Sequence, residues 1–292
     1  MVIKDTCVFA LGDGKENAIK VRQGEILEFY TRDCFNDQVT DENYVMDTLD
    51  WDHINPATGP VYVVGALKGD VLKVEILDIE LADEGTMCCL PENGVLGADI
   101  TESQVKKVPI KDGKAVFNKF ELPLNPMIGV IGVAPAAGSV ACGTPGRHGG
   151  NMDNTKITKG ATLYLPVFHD GAYFALGDVH AAMGDGEIMV SGVEIAAKVT
   201  VKLTVLRGFK IKNPRLEDAD YIYTIASDAD LEKAIYTATK DMCDILRYHL
   251  NYSLNEAGML LSARGNLQFC QVVDPERTVR MAVPKTICKK VI

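Results

Sequence analysis

Two stretches of alternating hydrophobicity constrain this chain more than any other feature. From Val71 to Ile79, Leu72, Val74 and Ile76 stand opposite Val71, Lys73, Glu75 and Leu77. From Lys198 to Leu206, Val199, Val201, Leu203 and Val205 alternate with Thr200, Lys202 and Thr204. A period of two places alternate side chains on opposite faces of a pleated strand and marks a half-buried one. Strands of this kind need neighbours in a sheet and a second layer to cover the apolar face.

The rest of the chain extends that reading. Val61 to Leu67 is an apolar run preceded by Asn55-Pro56-Ala57-Thr58-Gly59-Pro60, a rigid loop by composition. Asp112-Gly113 between apolar runs predicts a hairpin, and Asp170-Gly171, between Thr162 to Phe168 and Ala172 to Leu176, predicts another. The apolar run Pro126 to Pro135 leads into a glycine-rich loop through Gly150, and loops of such length are usually functional or disordered. The last quarter changes character. Ser227 with Asp230 resembles a capping box, and Leu231, Ile235, Ala238, Met242, Ile245 and Leu246 share one helical face. Ser253 with Glu256 opens a shorter helix through Leu261, with Gly265 beyond its end; Phe269 to Val273 and Thr278 to Val283 return to strand-like sequence. The expected fold is mainly β, sandwich-like or jelly-roll-like, with a C-terminal α+β portion carrying a helical pair. Residues 1–210 would form the β-sandwich-rich core, and 211–292 would pack on it.

Composition narrows the partners. A net charge of −10 over 292 residues disfavours nucleic acid, whose phosphates require clustered Lys and Arg. The pairs Lys106-Lys107 and Lys289-Lys290 are too short to change that. No apolar run approaches the roughly 20 residues that span a bilayer, so no membrane partner is expected. Met1 to Ala10 lacks the pattern of a signal peptide. Eight cysteines without C-x-x-C spacing fit buried free thiols in a reduced, cytoplasmic protein.

Chemistry-bearing side chains concentrate in two places. Gly177-Asp178-Val179-His180-Ala181-Ala182-Met183-Gly184-Asp185-Gly186-Glu187 combines carboxylates, an imidazole and turn-forming glycines. Asp178 and His180 share a face on an extended chain and can ligate one divalent metal. The Gly184–Gly186 turn can return Glu187 to the same site, where it would take a proton from an activated water. The second stretch, Arg147-His148-Gly149-Gly150-Asn151-Met152-Asp153-Asn154, offers Asp153 as a further ligand. Its Asn151, or the backbone of Gly149-Gly150, would donate to an oxyanion, and His148, Gly149 and Gly150 would contact substrate. Plainer readings stand beside these: an Asp-Gly turn for the first stretch, and an Asx loop bonding its own backbone for the second.

His53 has only Asp52 as a neighbouring carboxylate, His169 precedes a turn, and His249 ends a helix, where a cation is favoured in any case. Thr31-Arg32-Asp33-Cys34-Phe35-Asn36-Asp37 collects polar, ligand-capable side chains of open role. Cys34 and Cys142 lie near polar clusters as candidate thiolates, but Cys34 beside Asp33 is a poor nucleophile because a nearby carboxylate raises a thiol pKa. There is neither a G-x-S-x-G elbow nor a phosphate-binding G-x-x-x-x-G-K-[ST] loop.

These motifs together resemble the acetamidase/formamidase family. Asp33-Cys34-Phe35, Asn55 to Pro60, Gly129 to Pro135, His148 to Asp153, Gly177 to Ala182 with Gly184 to Glu187, and Gln271-Val272-Val273-Asp274-Pro275 carry the likeness in order along nearly the whole chain. Met183 departs from it, standing where many members have Gln. The resemblance implies a β-sandwich-rich fold, hydrolysis of short linear amides to carboxylate and ammonia, a metal in some members, and a homodimer or larger homo-oligomer. The expected ion is a divalent metal, Zn²⁺ first with Ca²⁺ or another ion as alternatives, held by Asp153, Asp178 and His180. A reading from another class is a non-catalytic β-sandwich module that binds a small ligand and carries a structural metal.

Overall fold

The computed structural model describes residues 1–12, 14 and 18–292. One sheet of nine strands runs through Val2–Ile3, Ile26–Thr31, Ala197–Leu206, Val71–Leu81, Thr162–Pro166, Arg215–Glu217, Tyr221–Asp228, Arg277–Pro284 and Asn266–Gln271. A second sheet, of eleven strands among the described residues, centres on Phe174–His180, with Met127–Gly132 antiparallel on one side. Ala57–Val64 and Glu194–Ile195 share its other side.

The two sheets face each other across one core. Leu27, Phe29, Val74, Val199 and Val201 of the first meet Val61, Ile128, Phe174 and Leu176 of the second. The rings of Phe29 and Phe174 join the layers edge to face, with centroids 5.8 Å apart. Both alternating stretches form strands, and Lys198 to Leu206 pairs along its length with Val71–Leu81. Leu72, Val74 and Ile76 point into the core between the sheets, while Val71 belongs to a second cluster on the outer face. That outer face is why Val71 is apolar where strict alternation would place a polar residue.

Helix α1 (Leu231–Leu250) and helix α2 (Leu254–Arg264) cover that face. Ala234, Ala238, Met242, Ile245 and Leu246 of α1 bury against Tyr164, Ile222, Val279, Met281 and Val283. Each of the larger side chains contributes about 1.5–3 kcal/mol of apolar burial. The fold is thus mainly β, with the helical pair at the C-terminal end. Strands from residues 215–284 continue the first sheet rather than forming a separate one.

The Asp112-Gly113 hairpin forms between Gln104–Lys111 and Lys114–Phe117, and Ser253 with Glu256 makes a reciprocal capping box. Three local expectations are corrected. Asp170-Gly171 does not close a hairpin, because Thr162–Pro166 lies in one sheet and Phe174–His180 in the other. Gly171, Ala172 and Tyr173, all at positive φ, carry the chain across between layers. Only glycine fits at 171, since a Cβ there would lie 2.1 Å from the Tyr62 ring. The cap of α1 is Asp230, whose side chain accepts from the Glu232 and Lys233 amides; Ser227 remains in its strand and bonds Thr278. The loop expected over Asn55 to Pro60 shortens, because pairing with Cys7–Val8 and Phe174–His180 draws Ala57 and Thr58 into a strand despite the flanking prolines.

Candidate active site

Phe174–His180 is buried along its whole length and ends at the floor of a cavity. Its register places His180 opposite Glu194 and opposite Met127 on the other flank. Asn151 closes the short strand Gly149–Asn151, which pairs with Met127–Gly132, so both motif stretches flank the same central strand. Between them lies Gly129. A Cβ at this position would stand 2.4 Å from Asp153 Oδ1 and 2.6 Å from Asp178 Oδ2, so the two carboxylates occupy the space a side chain would take.

The Gly184–Gly186 turn brings Glu187 back toward His180, with Oε1 3.2 Å from Nε2. Glu194 Oε1 lies 2.9 Å from the same nitrogen and accepts from the Gly192 amide. Asp153 Oδ1 is 3.9 Å from it. Asp153, Asp178 and Glu187 all adopt positive φ, a sparsely populated region for non-glycine residues that clusters at functional sites.

Two donor sets result. Asp153, His180 and Glu187 offer ligand atoms all within 4.8 Å of one another, as do Cys34, Asp178 and Glu194. The expected metal ligands are therefore close in space but divided: Asp153 and His180 in the first set, Asp178 in the second. Both oxygens of Asp153, Asp178 Oδ1, Glu194 Oε2 and His180 Nδ1 are buried without a hydrogen-bond partner. Buried polar atoms are normally satisfied, so a cluster of orphaned oxygens around an imidazole fits a bound cation. The residues present match a divalent metal with mixed oxygen and nitrogen ligands.

Electrostatics agree. Burial first, then the charge of Glu187, pushes the Asp153 carboxyl well above its usual range. Asp178 rises through burial and the charge of Glu194, and Asp274 through burial and Glu187. Burial opposes protonation of His180, yet Glu194 and Asp178 outweigh it and raise the imidazole well above its ordinary value. Among the described residues, the basic side chain in ion-pair contact with Asp153, Glu187 and Glu194 is His180.

The cavity above has a volume of about 460 Å³, and Asn151, Asp178, Glu187, Glu194 and Asp274 reach its surface. Asp153 and His180 are sealed beneath it, at 0% and 1% exposure. His148, Gly149 and Gly150 are buried outside the lining. Gly149 exchanges backbone bonds with Gly146, forming the hairpin that sets Asn151 in place. Arg147 reaches instead to the Lys212 carbonyl and lies over Phe168. His53 is exposed and bonds Asp50, and Asp33 accepts from the Asp37 amide. Cys34 lines the cavity, its thiol pushed up by burial and then by Glu194 and Asp178. Met183 lies outside this cavity, beside Gly192.

Sequence reasoning missed two acids. Glu194 follows a turn-rich segment with no metal-ligand spacing, and only the pairing register brings it opposite His180. Asp274 lies 87 residues downstream of Glu187; its one signal was the Gln271-to-Pro275 likeness. Gln271 accepts from the Val273 and Asp274 amides, holding the loop so that Asp274 Oδ2 accepts from Asn151 Nδ2 at 3.1 Å.

A model of the acetamidase/formamidase family matches residues 15–141 and 135–290. The chain belongs to the acetamidase/formamidase family. It is similar to a crystal structure of an acetamidase from Bacillus halodurans, with 42% identity and a TM-score of 0.97 over 100% of this chain and 99% of that one. A second crystal structure, of a recombinant predicted acetamidase/formamidase from Thermoanaerobacter tengcongensis, shares 47% identity with a TM-score of 0.96 over 99% and 96% of the two chains. A formamidase of Methylophilus methylotrophus is 26% identical over 258 residues, 66% of this chain and 63% of that protein. The chain thus matches less than two thirds of the length of that curated relative.

Proposed function

We propose that this protein hydrolyses the C–N bond of a short linear amide of the acetamide or formamide type, giving a carboxylate and ammonia. The observation that carries this reading is the set of buried carboxylates gathered on His180 beneath an open cavity, in a chain of the acetamidase/formamidase family.

Glu187 reaches the cavity and serves as general base. It takes a proton from water as the water oxygen bonds to the carbonyl carbon, and it returns that proton to nitrogen as the C–N bond breaks. Ammonia leaves, and the new acid ionises to carboxylate. Asn151 gives one Nδ2 hydrogen to Asp274, and its second would donate to the oxyanion. Its Oδ1 has no partner and is suited to accept from the substrate amide N–H. Asp153, Asp178 and His180 would hold a divalent cation, Zn²⁺ by the presence of imidazole, which supplies Lewis acidity for a poor electrophile. Glu194 Oε1, 2.9 Å from the Nε2 that also faces Asp153, would stand beside that cation as a further oxygen donor.

Replacing Glu187 with Gln tests the assignment. Turnover of acetamide should disappear while metal content persists; undiminished ammonia release contradicts the role, and loss of metal makes Glu187 a ligand instead.

A further inference from the structure

The cavity is much larger than the amides named above. At about 30 Å³ for each water-sized group, acetamide fills roughly a quarter of the 460 Å³ present. The remaining space combines acids, apolar walls and the neutral polar groups of Asn55, Asn93 and Thr144. The floor carries Asp178, Glu187, Glu194 and Asp274, while Phe9, Phe35, Trp51, Ile54 and Leu90 line the walls. Phe35 and Leu90 belong to a separate apolar cluster with Met46 and Leu49, which backs that wall with buried side chains. Trp51 is 49% exposed. No Lys, Arg or His lines the cavity among the described residues, and Asp52 adds a further acid to the lining.

From this we infer that the preferred substrate is a neutral primary amide with an apolar acyl chain of about four to six carbons, or an aryl ring. The inference rests on the amidase reading. The reacting amide sits at the acidic floor, and the acyl chain lies against Phe35, Leu90 and Trp51. Acyl groups bearing a carboxylate are excluded, because no Lys, Arg or His among the described residues lines the cavity to pair them and Asp52 adds a like charge. Each methylene placed on the apolar wall should raise kcat/KM about fourfold.

Ammonia release should be measured for acetamide, butyramide, hexanamide, phenylacetamide and adipamate, the last matching hexanamide but ending in a carboxylate. The inference expects kcat/KM to climb from acetamide to hexanamide and adipamate to fall at least tenfold below hexanamide. Trp51→Ala, at an exposed position that puts the fold at little risk, should lower the hexanamide-to-acetamide ratio several-fold. Competition by hexanamide against acetamide turnover gives a second readout that needs no variant. A series that is flat or falls with chain length while acetamide is turned over overturns the inference and leaves the amidase reading standing, as does adipamate matching hexanamide. No ammonia from any amide overturns the amidase reading, and the inference with it.

Discussion

Arg280 Nη2 donates to Asp185 Oδ2 at 2.5 Å, tying the Arg277–Pro284 strand to the turn that carries Glu187. The guanidinium is 1% exposed and spends its other donors on Asn154, Thr155 and Gln268. Thr155 in turn donates to Asp185. One side chain therefore fixes the loop after Asp153 and the turn before Glu187 relative to each other. A planar, forked cation suits this task because its donors leave in fixed directions.

Arg280→Met should destabilise the protein by about 2–4 kcal/mol, since it removes donors from buried Asn154, half-buried Gln268 and the Asp185 carboxylate. It should also lower kcat more than it raises KM, because Glu187 loses its anchor. Arg280→Lys should recover only part of both. Thermal unfolding together with steady-state kinetics checks this, and a variant of normal kcat would show that the turn holds itself.

Gly129→Ala isolates the space shared by Asp153 and Asp178. The backbone there is not in the left-handed region, but an alanine Cβ would meet both carboxylates and, at 2.9 Å, the Asp178 carbonyl oxygen. Metal content and activity should both collapse, the latter by about 100-fold or more given the cost of misplacing reacting groups. Far-ultraviolet circular dichroism should stay that of the parent. Retained metal and activity would mean that the two acids do not act as a pair.

His148 supplies a pH dependence of stability. Burial lowers its pKa from 6.5 to about 4, so the folded protein keeps it neutral where the unfolded chain protonates it. Between those values the unfolded state binds more protons, and stability rises with pH across the window. The full effect is about 3–4 kcal/mol, lost as pH falls from about 6.5 toward 4. Denaturant unfolding of the parent and His148→Gln at pH 4.5 and 7 should show a smaller pH difference in the variant. Equal pH differences would contradict the assignment.

The elements legible in sequence were those whose signal is local. Alternation identified Val71–Leu81 and Ala197–Leu206, and the Ser253–Glu256 spacing identified the start of α2. Asp170-Gly171 misled because the same turn chemistry serves a hairpin and a crossing between layers; the strands each flank pairs with, distant in sequence, decide which. The site was legible as two dense motifs, and Asp153, Asp178, His180 and Glu187 do meet. Their grouping was not, because Asp178 departs from extended geometry and the argument that i and i+2 share a face fails there. Glu194 and Asp274 arrive through strand register and a Gln271-anchored loop, and neither leaves a mark at short range.

The central claim is that these buried carboxylates hold a cation on which amide hydrolysis depends. Asp153, Asp178 and Asp274 have raised pKa values, so without a cation stability is fullest below the unfolded carboxylate range and is lost as pH rises through the folded values. The most direct test is ammonia release from acetamide at pH 7.5 by protein as purified, after stripping with chelator, and after readdition of Zn²⁺ or Ca²⁺, with melting temperature followed in parallel. The account predicts that stripping abolishes turnover and lowers the melting temperature, and that one of the ions restores both. Undiminished turnover by protein shown to be metal-free would contradict it.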